Sequence, residues 1–179
     1  MQYAFLICLQ CCEYLKKTLE YELSNTRIVL TRIPGETIDS LQNASFSNRL
    51  NADLFISIHF YEKKTGQPDL FLYQFSYNTT TDTWQSSSQL QFVPYHKAYL
   101  LNYSTTKTIV NLIHTLFKEH FQQQFDTHSP QGIPFAPLLG VTAPAIGIEM
   151  SIVKNDGWQH FIPALKEAIV TAVNCIKRN

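Results

Sequence analysis

Asn48-Arg49-Leu50-Asn51-Ala52-Asp53-Leu54-Phe55-Ile56-Ser57-Ile58-His59-Phe60 decides the reading of this chain. It predicts the end of a helix, a short turn, a buried strand and then a histidine. A second segment matches it: Ala143-Pro144-Ala145-Ile146-Gly147-Ile148-Glu149, a short apolar strand ending in a carboxylate. Open α/β sheets hold ligands in the crevice beyond the carboxyl ends of their strands. An imidazole and a carboxylate on two such strands point to a metal site or to acid–base chemistry.

Working outward, residues 3–23 read as a helix. Phe5, Leu9, Cys12, Leu15 and Leu19 recur at helical spacing. Tyr3 to Leu9 is apolar, but no Lys or Arg precedes it and no small-x-small site follows, so a helix of the mature domain is expected rather than a signal peptide. Arg27-Ile28-Val29-Leu30-Thr31-Arg32 predicts a strand covered on both faces. Ser40 to Asn51 predicts a half-buried helix leading into a strand over 54–59. Residues 69–75 predict an aromatic-rich strand. The polar stretch 76–95 predicts a surface loop. Ser104 would cap a helix reaching Phe125, with Ile109, Leu112, Ile113, Leu116, Phe117 and Phe121 on its apolar face. Residues 126–142 read as a loop, 144–150 as a strand, and Trp158 to Ile176 as a last helix with Pro163 in its first turn. Strands alternating with helices imply one α/β domain over 1–179: a three-layer open mixed sheet with helices on both faces, phosphorylase/hydrolase-like.

Composition narrows the function. Lys+Arg and Asp+Glu both total 14, which leaves no basic stripe for nucleic acid. No apolar run approaches the roughly 20 residues of a membrane span. Cys8, Cys11 and Cys12 crowd one helical segment and read as buried thiols, since no second Cys/His pair stands at zinc-finger spacing.

Two residues stand out. His59 is either a ligand or catalytic group, or a histidine that caps a strand by hydrogen bonding. Glu149 at the edge of a core needs a cation, a metal or a proton, because an unpaired buried carboxylate is costly. A buried pair with Arg32 or Arg49 is the structural alternative. His120 fits the apolar stripe of its helix, whereas His96 and His128 lie in loops.

In order and spacing these segments resemble the zinc-dependent N-acetylmuramoyl-L-alanine amidases of type 3. Ile28-Val29-Leu30-Thr31-Arg32 is similar to the family's V-x-L-T-R strand. The 48–59 stretch is similar to its R-x-x-x-A-N-x-x-x-A-D-L-F-[IV]-S-I-H. The helix after Ser104 is similar to the family's long helix, and Pro144-Ala145-Ile146-Gly147-Ile148-Glu149 to P-A-[IV]-L-[IV]-E. The resemblance implies His59 as a zinc ligand and Glu149 as the catalytic base. It implies a peptidoglycan or muropeptide substrate and a bacterial cell envelope or periplasmic setting. Two departures stand beside it. No Asp-Pro-Gly-His-Gly precedes the first helix, so the family's first strand and its two other zinc ligands have no counterpart here. Ser57-Ile58-His59-Phe60-Tyr61 also lacks the asparagine of S-I-H-x-N. The resemblance therefore allows either a zinc amidase, whose 76–95 segment and Trp84 would flank the groove, or a metal-free relative that binds peptidoglycan or a partner protein.

Overall fold

The computed structural model describes residues 2–32, 39–77, 93–153 and 157–177. Helix α1 spans Gln2–Glu22 and α2 spans Ser40–Arg49. Strands β1 (Phe55–Lys63) and β2 (Asp69–Phe75) follow. Helix α3 (Tyr103–His120) then leads to two short strands, β3 (Asp126–Thr127) and β4 (Gln131–Ile133). Strand β5 (Ala145–Val153) and helix α4 (Ile162–Lys177) complete the order.

The sheet runs β1-β5-β2-β3, with β4 also paired to β2. Strands β1 and β5 are parallel, and β2 is antiparallel to β5, so the sheet is mixed as expected. Alternation along the strands sorts the two faces. Ile56, Ile58, Phe60, Ile146, Ile148, Met150, Leu70 and Leu72 join one core with α1, α3 and α4. Its centre includes the fully buried rings of Phe117, Phe125 and Phe161. Each such ring contributes about 1.5–3 kcal/mol by leaving water. On the opposite face a smaller core gathers Ala44 of α2 with Phe55, Phe75, Leu138, Val141 and Ala145. Helices thus lie on both faces, but α2 covers only the end of the sheet where β1 and β5 begin.

Local chemistry sets how α2 delivers β1. Asp39 caps the helix, accepting from the Leu41 N–H, while the Gln42 side chain accepts from the Asp39 N–H. After the helix, Asn51 takes φ of 49°, a left-handed conformation that asparagine tolerates better than most residues. Asn48 donates to the Gly140 carbonyl and accepts from both the Thr142 N–H and hydroxyl, which ties α2 to the loop that launches β5.

Several expectations are corrected. Residues 27–32 join no strand ladder among the described residues. Instead Ile28 is held from α1: its N–H donates to Glu20 and its carbonyl accepts from Lys16. The reason is spatial, because a slot separates this segment from β1. Both predicted site strands run further than the apolar runs suggest, to Lys63 and Val153, because alternation continues past His59 and Glu149. The buried stripe of α1 is Ile7, Cys11, Leu15 and Leu19, whereas Leu9 and Cys12 turn toward the slot. Helix α3 ends at His120, and its Leu112 is exposed. His120 leaves the core and meets Glu167 on the surface at 3.0 Å. All four cysteines are free thiols, with Cys11 fully buried. Most of the 76–95 stretch, Trp84 included, and the 155–157 turn but for Gly157 lie outside the described residues.

Candidate functional site

Parallel pairing in register places His59 directly beside Glu149, each the fifth residue of its nine-residue strand. The sequence anticipates the two as neighbours at strand ends; they are neighbours, but at mid-strand. Their site is therefore the open part of a sheet face rather than the rim beyond it. Alternation puts Ser57, His59 and Tyr61 of β1 on that face with Gly147, Glu149 and Ser151 of β5. Antiparallel β2 adds Phe71 opposite Glu149 and Tyr73 opposite Gly147.

Tyr73 donates its hydroxyl to Glu149 Oε2 at 2.8 Å. Burial, reinforced by that carboxylate, pushes the Tyr73 phenol well above its ordinary value, so it remains a donor. Ser57 Oγ lies 2.7 Å from His59 Nε2. Burial holds His59 below its ordinary value of 6.5, and the charge of Arg32 pushes the same way, against the opposing pull of Glu149. The imidazole is thus neutral near pH 7. Phe135 closes one side, with its ring 5.4 Å from that of His59 and 4.8 Å from that of Tyr73. Gly147 makes this possible: a Cβ there would lie 2.6 Å from a Phe135 ring carbon.

Farther along the same face a second polar group forms around Asp69. Tyr61 donates to Asp69 at 2.6 Å, Lys63 pairs with it at 2.7 Å, and His128 Nε2 lies 3.4 Å away. Burial alone would raise the Asp69 carboxyl, but its hydrogen bonds from Lys63, Tyr61 and His128 outweigh this and hold it at about 2. Burial and Asp69 together push Tyr61 up to about 12. His128, expected only as a loop residue, stacks on Phe71 at 4.1 Å.

The expected zinc chemistry can be tested on these donors. A catalytic zinc takes three protein ligands and a water. Among the described residues, the only three such groups close enough to share an ion are Asp69, Asp126 and His128, within 4.8 Å of one another. The Lys63 ammonium already answers Asp69 there. Around His59 no such trio forms among the described residues, and the positive charge of Arg32 acts on its ring. The described donor set around His59 therefore does not fit zinc.

Tyr73 and Phe135 were not legible as site residues. Tyr73 shows only as one aromatic in a strand, and Phe135 sits in a proline-rich loop. Elsewhere, His96 packs near Tyr77 and His160 against Phe161. Among the described residues no helix is long and apolar enough to cross a membrane.

No curated protein matches the chain in sequence. Solved structures do match in fold. The amidase Ami1 from Mycobacterium smegmatis aligns at a TM-score of 0.59 and 10% identity, over 95% of this chain and 76% of that one. The catalytic domain of CwlV from Bacillus (Paenibacillus) polymyxa var. colistinus aligns at 0.55 and 16%, over 90% and 79%. AmiC2 of Nostoc punctiforme aligns at 0.50 and 18%, over 93% and 80%. At such identities the likeness speaks for the fold alone. The sequence profile of the N-acetylmuramoyl-L-alanine amidases reaches further, matching residues 4–162. With its open mixed sheet, and with that profile covering most of its length, this chain belongs to the type 3 N-acetylmuramoyl-L-alanine amidase family of cell-wall hydrolases.

Proposed function

We propose that this domain cleaves the amide between N-acetylmuramic acid and L-alanine in peptidoglycan, with Glu149 as general base. The observation that supports this best is the pairing of Glu149 with His59 on an open sheet face, with Tyr73 bonded to one carboxylate oxygen. Tyr73 occupies Oε2, so proton transfer falls to Oε1. Glu149 takes a proton from the attacking water and returns it to the leaving amine, which a positioned carboxylate can accelerate by roughly 10²–10⁴. Residues 1–179 act as a single amidase-like domain. The family resemblance makes His59 a zinc ligand, and among the described residues no second and third donor stand close enough to share an ion with it. The substrate places the protein in the bacterial cell envelope or periplasm.

A second reading draws support from the incomplete donor set: a metal-free domain that binds peptidoglycan or a partner protein without turnover. Incubation with purified muropeptides, with and without added zinc, separates the two. Free stem peptides in the mass spectrum are the expected result. Binding to insoluble peptidoglycan with no released peptide at any zinc level would establish the second reading instead.

A further inference from the structure

One transverse row crosses the open sheet face. His59 of β1 pairs with Glu149 of β5, and Glu149 with Phe71 of β2. Parallel pairing of Asp69 with Asp126 and of Leu70 with Thr127 then brings His128 level with Phe71, its N–H donating to the Leu70 carbonyl. An imidazole, a carboxylate, a phenyl ring and a second imidazole thus stand side by side, with about 4.8 Å from strand to strand. All four are half-buried, so the row reaches solvent. The hydrolysis proposed above gives work to Glu149, but none to Phe71 or His128.

Strand order fixes which way Phe71 looks. In the order β1-β5-β2-β3, strands β3 and β5 flank β2 on opposite sides. The His128 ring lies 4.1 Å from that of Phe71 at an interplanar angle of 2°, so it covers the face toward β3. The other face looks toward β5, where Glu149 stands. Phe135 closes over Tyr73 and His59, whereas Phe71 lies one step farther along β2, toward Asp69. The ring is also held from behind. His128 Nε2 lies 3.4 Å from Asp69, whose carboxylate is fixed by Lys63 at 2.7 Å and by Tyr61 at 2.6 Å. A flat apolar face preset in this way gives up little rotamer freedom on binding.

We propose that this face of Phe71 is a sugar subsite: it stacks on the pyranose ring of the N-acetylmuramoyl group while the scissile amide stands over Glu149, and His128 positions it. The inference rests on the proposed hydrolysis of that amide and adds the residues that hold its sugar. A single lactyl ether separates the amide carbonyl from the sugar ring. The sugar therefore lies next to the carboxylate that serves the carbonyl, and Phe71 stands one strand from that carboxylate. One face of a pyranose is a sheet of C–H groups that matches a phenyl ring. The alanine on the other side of the amide offers only a methyl, which would cover little of it. Ligand sites pair such an apolar surface with a few polar groups. The adjoining row supplies them, with Tyr61 beside Ser151 and Asp69 hydrogen-bonded to both.

The test compares two ligands that differ only in the sugar: N-acetylmuramoyl-L-alanyl-D-isoglutamine and D-lactoyl-L-alanyl-D-isoglutamine. Titration calorimetry uses the whole 179-residue chain carrying Glu149→Gln, so that neither ligand is cut. The sugar should strengthen binding by about tenfold, as one aromatic contact can. Phe71→Leu, which keeps an apolar side chain, should abolish that gain and leave the lactoyl ligand unaffected. Phe71→Tyr should retain the gain, and His128→Ala should diminish it without touching the lactoyl ligand. Equal affinity for the two ligands before any change at Phe71, or no binding of either, would overturn the proposal. So would a Phe71→Leu chain that keeps the full gain. A Phe71→Leu chain that loses both ligands alike would also overturn it, and would assign the ring to the peptide. Release of stem peptide by the unsubstituted chain is read separately: its failure with the sugar gain intact would strike the hydrolysis and leave the subsite.

Discussion

Tyr73 and Glu149 lie on strands of opposite direction, two residues apart in cross-strand register, and are joined by a 2.8 Å hydrogen bond. A phenol on the antiparallel strand thus fixes a carboxylate on the parallel one. It holds one of the two carboxylate oxygens in place.

Removing that donor tests the arrangement. Tyr73→Phe keeps the ring against Phe135 but loses the hydroxyl. A hydrogen bond to a charged group contributes about 1.5–3 kcal/mol, so muropeptide hydrolysis should fall by at least about tenfold. Undiminished hydrolysis would leave Tyr73 a purely packing residue.

Glu149→Gln keeps the shape and removes the base. Hydrolysis should fall by roughly 10²–10⁴ while the thermal melt changes little. Should Glu149 instead anchor a structural ion pair, the melt would drop and activity per folded molecule would survive. Stem-peptide release and melting, measured on one preparation, distinguish these outcomes.

His59 should titrate below its ordinary value of 6.5 because it is buried and faces the charge of Arg32. Its neutral form is the one favoured by folding, so this contribution to stability is lost as pH falls through and below 6.5. Arg32→Met should raise the His59 pKa, read from its ring resonances by NMR. A titration that ignores Arg32 would leave burial as the sole cause.

The Asp69 carboxylate, held at about 2 against an ordinary 3.8, stabilises the fold above the higher value. That stability is lost as pH falls from 3.8 toward 2. Melting temperature should therefore drop more steeply over this interval in the wild type than in Asp69→Asn. Parallel curves for the two proteins would show that the Lys63, Tyr61 and His128 contacts do not depend on the charge.

Gly147→Ala places a methyl 2.6 Å from the Phe135 ring. Overpacking of this kind costs about 1–3 kcal/mol. Denaturant unfolding should show that loss, and Phe135→Ala in the same chain should recover much of it. A Gly147→Ala protein as stable as the wild type would mean that Phe135 moves aside freely.

What the sequence determined by itself was local. Alternation within Phe55-Ile56-Ser57-Ile58-His59 and Ala145-Ile146-Gly147-Ile148-Glu149 sorted core from site face, since side chains repeat every two residues along a strand. Helical spacing marked α3 and α4 in the same way. Motif order carried the family, which the profile over 4–162 bears out. Tertiary structure alone decided what depends on partners far along the chain. It set the register that puts His59 beside Glu149, and the reversed direction of β2 that brings up Tyr73. It also folded the 126–142 loop so that Phe135 closes the site. Ile28-Val29-Leu30 shows the limit most plainly: its residues favour a strand, but a strand exists only where a ladder partner stands beside it. Here a slot lies between this segment and β1. Propensity belongs to the residue, whereas pairing belongs to the whole chain.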